Sequence, residues 1–257
     1  MKISIITVCF NSQATILETL HSVKAQNYKN YEHIIIDGGS SDDTVSICKS
    51  FGGLIIVSER DNGIYDAMNK GVKLSSGEIV GFLNSDDIFY RADALSDIAL
   101  AFQDPNIDAC YSDLIYFSKD SNINCGRYWD SSNCNNSNLK YGQIPPHPTF
   151  YVRRYLFDEY GFFDTKYKIA ADFLFMINLM MKNKILSFYI NRPLVQMRTG
   201  GASDEGILSR LKQNIEIYKG IKEYRLPIFY PLFIINRLLI RLLQLNSNIR
   251  NPPAWLH

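Results

Sequence analysis

The strongest constraint on this chain is an alternation of two periods over its first hundred residues. Ile3–Phe10 is a continuous apolar run carrying β-branched residues. A run without polar interruption predicts a strand buried on both faces, as in a parallel sheet. Thr15–Gln26 then spaces Ile16, Leu20 and Val23 at helical intervals. Glu32–Ile36, Leu54–Val57 and Glu78–Leu83 repeat the strand pattern. Helices are expected from a Ser41 or Asp42 cap to about Phe51, over Ile64–Leu74, and over about Ala92–Phe102. This alternation predicts an α/β chain with a mostly parallel sheet covered by helices on both faces.

After about Asp104 the rhythm breaks. Ile107–Tyr116 reads as strand with room for a hairpin, and Ser118–Tyr141, rich in Asn and Ser, as loop. Pro145-Pro-His-Pro148 is a stiff turn. Tyr155–Tyr160 and Ala171–Lys182 read as helices, Ile185–Ile190 and Leu194–Met197 as strands, and Ser203–Tyr224 as a long polar helix.

With 257 residues, 46% hydrophobic and 21% charged, the chain can bury a large core. A net charge of +1 excludes bulk nucleic-acid binding, which needs a strong basic excess. The five cysteines (Cys9, Cys48, Cys110, Cys125, Cys134) are odd in number and form no C-x-x-C, so neither a disulfide framework nor a zinc site is expected. Cys9 reads as core packing. The chain opens on a strand-like run rather than a signal peptide, so reduced thiols in the cytosol are expected.

In an open parallel sheet, ligands bind outside the carboxyl ends of the strands. Asn11 and Ser12 follow the first strand, Asp37 ends the second, Glu59, Asp61 and Asn62 follow the third, and Asn84-Ser-Asp-Asp87 ends the fourth. Turn chemistry places such residues in loops too, but here four successive strand ends carry them. Adjacent carboxylates at the mouth of a buried strand repel each other and hold charge more easily beside a hard cation. Either Asp86 or Asp87 could instead cap a following helix.

Ile5-Ile-Thr-Val-Cys-Phe-Asn11, Ile36-Asp-Gly-Gly-Ser-Ser-Asp-Asp-Thr44, Asp61-Asn-Gly-Ile-Tyr-Asp-Ala-Met-Asn-Lys-Gly71 and Phe82-Leu-Asn-Ser-Asp-Asp87 occur in that order. Together, over about residues 3 to 205, they resemble the family 2 inverting glycosyltransferases of the GT-A fold. The resemblance is nearest to enzymes building bacterial O-antigen or exopolysaccharide repeat units. It implies a Rossmann-like, mixed, mostly parallel sheet flanked by helices, with a C-terminal helical extension. Residues 1–205 would be catalytic, with 1–104 binding the nucleotide-sugar and 105–205 the acceptor, and 206–257 would be a helical, membrane-associating segment. Asn84-Ser-Asp86 takes the place of the family's Asp-x-Asp. Asp86 would bind Mn²⁺ or Mg²⁺, with Asp87 able to share that role. The donor would meet Asn11, Asp37, Asp61, Tyr65, Asn84, Ser85 and Arg198, with Asp37 beside the uridine. The family often has Asp-Asp-Gly-Ser where this chain has Asp37-Gly-Gly-Ser40. A base-reading carboxylate is therefore missing at Gly38, and uridine specificity is less well specified than metal binding. Asn84 can still hydrogen-bond a ribose.

The resemblance also places the catalytic base at the start of a helix in the second half, where Tyr167-Lys-Ile-Ala-Ala-Asp172 matches. Apolar neighbours predict partial burial of Asp172; a helix cap or an ion pair with Lys166 or Lys168 is the other use of that carboxylate. In Met197-Arg-Thr-Gly-Gly-Ala-Ser203 the paired glycines would let N–H groups approach a phosphate and Arg198 would add charge, although a plain loop reads equally well. His147 could touch donor or acceptor, or be structural, and Tyr65 could line the pocket or fill the core.

Pro227–Leu245 is apolar apart from a stripe of Asn236, Arg237, Arg241 and Gln244. Spanning a bilayer needs about 20 apolar residues, so the segment reads as a helix lying in the membrane interface or one packed on the catalytic domain. The expected reaction moves a hexose, glucose from UDP-glucose as first choice, with galactose or an N-acetylhexosamine open. The acceptor would be a polyprenyl-diphosphate-linked sugar at the inner face of the cytoplasmic membrane, and the product β-linked. A nucleotidyltransferase would want a Gly-rich, basic loop where Cys9-Phe-Asn-Ser-Gln13 stands. A non-catalytic nucleotide-sugar binder would not need Asp86, Asp87 and Asp172 together.

Overall fold

The computed structural model describes residues 1–117, 124–199 and 206–246. Among these described residues, nine strands form one sheet. The first four are β1 (Ile3–Cys9), β2 (Tyr31–Asp37), β3 (Ile55–Ser58) and β4 (Ile79–Phe82), all mutually parallel and ordered β3-β2-β1-β4. Every residue of β1 is buried, as a central parallel strand requires. Phe10, expected as the last residue of that run, lies just past the strand and is 63% exposed. Between the strands run α1 (Ile16–Lys24), α2 (Thr44–Phe51) and α3 (Ile64–Leu74), each close to its expected span.

The parallel register aligns the strand ends. Cys9 faces Asp37, Asp37 faces Ser58, and Ile6 faces Phe82. The turns beginning at Asn11, Gly38, Glu59 and Asn84 therefore gather along one edge of the sheet.

Beyond β4 the sheet becomes mixed. The two-residue β5 (Ile88–Phe89) leads to α4 (Ala94–Ala101) and then β6 (Ala109–Phe117). Next come β7 (Asn124–Trp129), β8 (Tyr151–Arg153), α5 (Tyr155–Tyr160), α6 (Ala171–Ile177) and β9 (Ser187–Arg198). The order continues β4-β8-β6-β9-β5, with β8 antiparallel to both neighbours and β9 parallel to β6. β5 and β8 are two and three residues long, too short for a period to register in sequence. β7 pairs antiparallel with β6, forming the hairpin; it falls inside the stretch expected to be loop, because its run Asn124–Trp129 carries almost no apolar alternation. The two strands expected at 185–197 are one, with its register shifted around Pro193, which has no N–H to give the ladder. α6 ends at Ile177 and continues through Asn178–Lys182 as a wider turn closed by Asn183 N–H on the Asn178 carbonyl.

Residues 206–246 add α7 (Gly206–Glu223) and α8 (Tyr230–Asn246). Phe233 of α8 is fully buried, with its ring edge-on to Phe173 of α6. Arg237 lies 4.9 Å from the Phe173 ring centre. Gly142 leaves room for it, since a Cβ there would come within 2.6 Å of Arg237 Cγ. At least this member of the expected polar stripe therefore turns toward the domain, while Phe229, Leu232, Ile235, Leu238 and Leu239 face outward. Among the described residues no helix is long and apolar enough to cross a membrane. Cys9, Cys48, Cys110 and Cys134 are free, buried thiols.

Candidate active site

The turn after β2 is organised by Asp37, only 1% exposed. Its Oδ2 accepts from Gly39 N (3.1 Å), Ser40 N (3.0 Å) and Ser58 Oγ (2.7 Å), and its Oδ1 from Ser40 Oγ. Burial pushes this carboxyl up, but the donors from Ser40, Ser58 and the turn outweigh it and hold the group below the usual range. Asp37 thus spends both oxygens on its own turn. Asn11 ties the first strand end to the same turn: with φ 49° it lies in the left-handed region that Asn tolerates, its Oδ1 accepts from Ser41 N (2.9 Å), and its own N–H donates to Ser40 Oγ (2.7 Å). Ser12 Oγ and Ser85 Oγ, 2.9 Å apart, join the first and fourth strand ends.

At the end of β4 the two carboxylates divide their surroundings. Asp87 is 1% exposed; its Oδ2 accepts from Asn84 Nδ2 (3.0 Å) and its Oδ1 from Arg198 N (3.3 Å). Burial, then the charge of Asp86, pushes Asp87 well above the usual carboxylate range. Asp86, half-buried, is raised by burial and pulled back by Arg198. Neither starts a helix, for α4 begins at Ala94 with Asp93 before it, so the helix-cap alternative does not apply. Asn84 Oδ1 is buried without a hydrogen-bond partner. Two crowded carboxylates and an orphaned amide oxygen are a hard-cation donor set. Among the described residues no group of three or more His, Cys, Asp or Glu could hold a metal ion. A cation here would therefore complete its shell from the diphosphate and water.

Arg198 reaches this motif because β5 pairs antiparallel with β9, Ile88 opposite Gln196. Its side chain, the charge expected near a donor phosphate, pairs here with Glu18 (2.6 Å) and lies over the Phe117 ring (4.8 Å). The glycine pair at 200–201 and the rest of that loop to Ser203 lie outside the described residues, as does the 205 boundary.

Asp172 occupies the first turn of α6 and is half-buried. Its Oδ1 accepts from Tyr65 Oη at 2.7 Å. Burial and the neighbouring charge of Asp172 push the Tyr65 hydroxyl well above its usual value, so it stays a donor. Lys166 pairs with Asp164 and Glu223, and Lys168 Nζ donates to the Asn62 carbonyl, so neither is an ion-pair partner of Asp172. His147 is kept neutral by burial against the opposing pull of Asp172. Its ring stacks on Phe82 (5.3 Å, 29°), two residues before Asn84. Phe163 meets Tyr65, Phe82 and His147 at 5.8, 5.3 and 5.9 Å. One aromatic cluster thus connects the floor beneath the acidic motif to the base candidate.

Two contributors escape sequence reasoning. Glu216 of α7 accepts from Lys168, Ile169 and Ala170 N–H groups at 2.9, 2.9 and 3.0 Å, closing the turn that carries Asp172; nothing local to Glu216 signals a partner 46–48 residues away. The second is Phe10, whose exposure depends on where β1 ends.

The family model described as Glycosyl transferase family 2 matches residues 4–170. A PGL/p-HBAD biosynthesis glycosyltransferase of Mycobacterium bovis is 30% identical over 226 residues, 83% of this chain and 85% of that protein. An uncharacterised glycosyltransferase of Mycobacterium tuberculosis is 34% identical over 181 residues, 68% of this chain and 67% of its own length. Among solved structures, S. aureus TarS 1–349 in complex with UDP-GlcNAc superposes with a TM-score of 0.69 at 19% identity, covering 94% of this chain and 72% of TarS. The mannosyltransferase PcManGT from Pyrobaculum calidifontis, in complex with GDP-Man and Mn²⁺, gives 0.63 at 18% identity, covering 96% and 72%. At these identities the two structures establish the fold, GT-A.

Proposed function

Since this chain belongs to glycosyl transferase family 2, we propose that it is a metal-dependent inverting enzyme that moves a hexose from a UDP-sugar to a lipid-linked sugar. The observation that carries this reading is the aromatic bridge of Tyr65, Phe163, Phe82 and His147, which links a base carboxylate to a metal-suited strand end. Asp172 accepts the proton of the acceptor hydroxyl as its oxygen attacks the anomeric carbon. The bond from that carbon to the diphosphate breaks on the opposite face, so a donor with an α-linked diphosphate gives a β-linked product. A Mn²⁺ or Mg²⁺ ion, when bound, would neutralise charge on the departing diphosphate. Asp86, Asn84 Oδ1 and Asp87 are the residues suited to hold it. Tyr65 fixes the Asp172 carboxylate, His147 offers a neutral ring beside it, and Asn11, Ser85 and Arg198 hold the strand ends in register. UDP-glucose is the first donor to test, supported by the resemblance to repeat-unit glycosyltransferases.

The outward face of α8 supports a membrane-bound acceptor. Leu232, Ile235, Leu238 and Leu239 recur on one side of the helix, and α7 adds Leu211, Ile215 and Tyr218, all exposed. Apolar surface of this extent gains from burial in an acyl boundary. The opposite side of α8 packs on Phe173, adjacent to Asp172. We infer a peripheral enzyme at the inner face of the cytoplasmic membrane, acting on a polyprenyl-diphosphate-linked sugar in O-antigen or exopolysaccharide assembly.

The test is UDP release from a panel of UDP-sugars with a synthetic lipid-diphosphate-GlcNAc acceptor. Acceptor-dependent release should stop with EDTA and return with Mn²⁺ or Mg²⁺, and NMR should show an inverted anomeric centre. Full turnover in EDTA would remove the metal from the reading; a retained configuration would remove Asp172 as base.

A further inference from the structure

The chain entering α6 has backbone N–H groups to satisfy and no local side chain to do it, since Ala170 at the helix start offers no cap. The acceptor comes from α7. Glu216, half-buried, accepts from Lys168 N through one carboxylate oxygen (2.9 Å) and from Ile169 N and Ala170 N through the other (2.9 and 3.0 Å). Three successive donors on one carboxylate leave this turn little freedom, because any shift breaks charge-assisted hydrogen bonds. Asp172 lies two residues on, in the first turn of the helix, and moves with Ala170. One face of α7 is seated on the same segment: Glu216, Gly220 and Glu223 recur at spacings of four and three. A Cβ on Gly220 would collide with Leu174 of α6, which is fully buried, so the two helices meet there without a side chain between them. Glu223 accepts from Tyr167 Oη (2.8 Å) and pairs with Lys166. Ile217 and Ile221 are buried in the same core as Tyr65 and Phe173. After burial and the contacts with Asp172, the charge of Glu216 also helps keep the Tyr65 hydroxyl protonated, and that hydroxyl donates to Asp172.

Resting on the reading of Asp172 as the base, we propose that Glu216 is a positioning residue of the reaction. It holds the backbone from which Asp172 reaches the acceptor hydroxyl, and α7, beyond residue 205, therefore belongs to the catalytic unit. Tyr65 fixes the carboxylate from the side, and Glu216 fixes the chain that bears it. The second constraint matters because a base displaced along its helix axis would keep its hydrogen bond to a mobile tyrosine and still miss the attacking oxygen.

A double-mutant cycle in the full-length protein tests this. Glu216→Gln keeps the volume but replaces one acceptor oxygen by a donor. It should lower kcat by about tenfold to a hundredfold, the cost of misplacing a catalytic group by about an ångström, with donor KM unchanged. In the Asp172→Asn background the same change should cost less than about twofold, because a side chain that takes no proton loses nothing by being displaced. Glu223→Gln loosens the same helix at an exposed ion pair and should keep kcat within about twofold. Hydrogen exchange, which needs no turnover, should quicken at residues 168–172 in Glu216→Gln and not in Glu223→Gln. Should Glu216→Gln fail to fold, Glu216→Asp, one methylene shorter, is read in the same cycle. Wild-type kcat in the Glu216 variant, an equal loss in both backgrounds, or unchanged exchange at residues 168–172 overturns the assignment and leaves the transferase reading standing. An Asp172→Asn enzyme with near-normal kcat, or a wild type that turns over no nucleotide-sugar, removes the reading beneath it as well.

Discussion

Asp172→Asn keeps the shape of the side chain and an oxygen for Tyr65 to donate to, yet it cannot take a proton. Turnover should fall by about 10²–10⁴-fold, the usual contribution of a positioned base, while UDP affinity stays near that of the wild type. Tyr65→Phe is the companion change: it removes the hydrogen bond, at 2.7 Å, that holds the Asp172 carboxylate, so kcat should fall by about tenfold with donor KM unchanged. Steady-state kinetics at saturating acceptor separates the two, and an Asp172→Asn enzyme with near-normal kcat would send the search to another carboxylate. At this scale the sequence marks which residues carry chemistry but not whom they touch. Tyr65 and Asp172 are 107 positions apart and meet only through α3 and α6 packing on a shared core. Arg198, chosen for its charge, is drawn to Glu18 and Phe117 by the pairing of β5 with β9.

Strand β2 enters the sheet beside a clamp built on Glu32. Its carboxylate accepts from Lys2 Nζ (2.6 Å), Ser4 Oγ (2.5 Å), Ser76 N (2.6 Å) and Ser76 Oγ (2.8 Å), joining the starts of β1, β2 and β4. Burial pushes this group up, but the donors from Lys2, Ser4 and Ser76 prevail and bring it from 4.5 down to about 2. The folded value lies below the unfolded one. The stabilisation is therefore complete above about pH 4.5, declines as pH falls through that window, and is gone below about 2. Glu32→Gln should lower Tm at pH 7 by about 3 °C, and the gap should narrow as melts are repeated from pH 5 down to 3, without yet vanishing there. A gap that stays constant with pH would show that shape rather than charge makes the clamp. Elements with a long, clean period, such as β1 and α3, were legible from sequence because their burial follows from their own pattern. The short strands β5 and β8 exist only because neighbours offer them hydrogen-bonding edges.

At the scale of the whole molecule, α8 divides its two faces between the protein and its surroundings. Removing the helix would strip Phe233 and Arg237 from Phe173, one residue from Asp172, so a deletion would disturb the base as well as the surface. Changing Leu232, Ile235, Leu238 and Leu239 together to Ser leaves that packing in place. Flotation with anionic lipid vesicles should then drop by about tenfold or more, because each of these side chains forgoes apolar burial, while Tm and turnover with a water-soluble acceptor stay unchanged. Equal flotation of wild type and variant would show that the exposed face does not meet lipid.

By itself the sequence determined the α/β class, the parallel order of its first half and the strand ends where chemistry collects, since strand burial, helix period and turn composition are local properties. Only the tertiary structure decided that Asp37 is consumed by its own turn, that Asp61 fills the space left at Gly38, that Glu216 closes the turn before Asp172, and that Arg237 faces inward while leucines face out. Each of these depends on which side chain reaches a hydrogen-bond partner or a void first, a competition settled by register and packing between segments far apart in the chain.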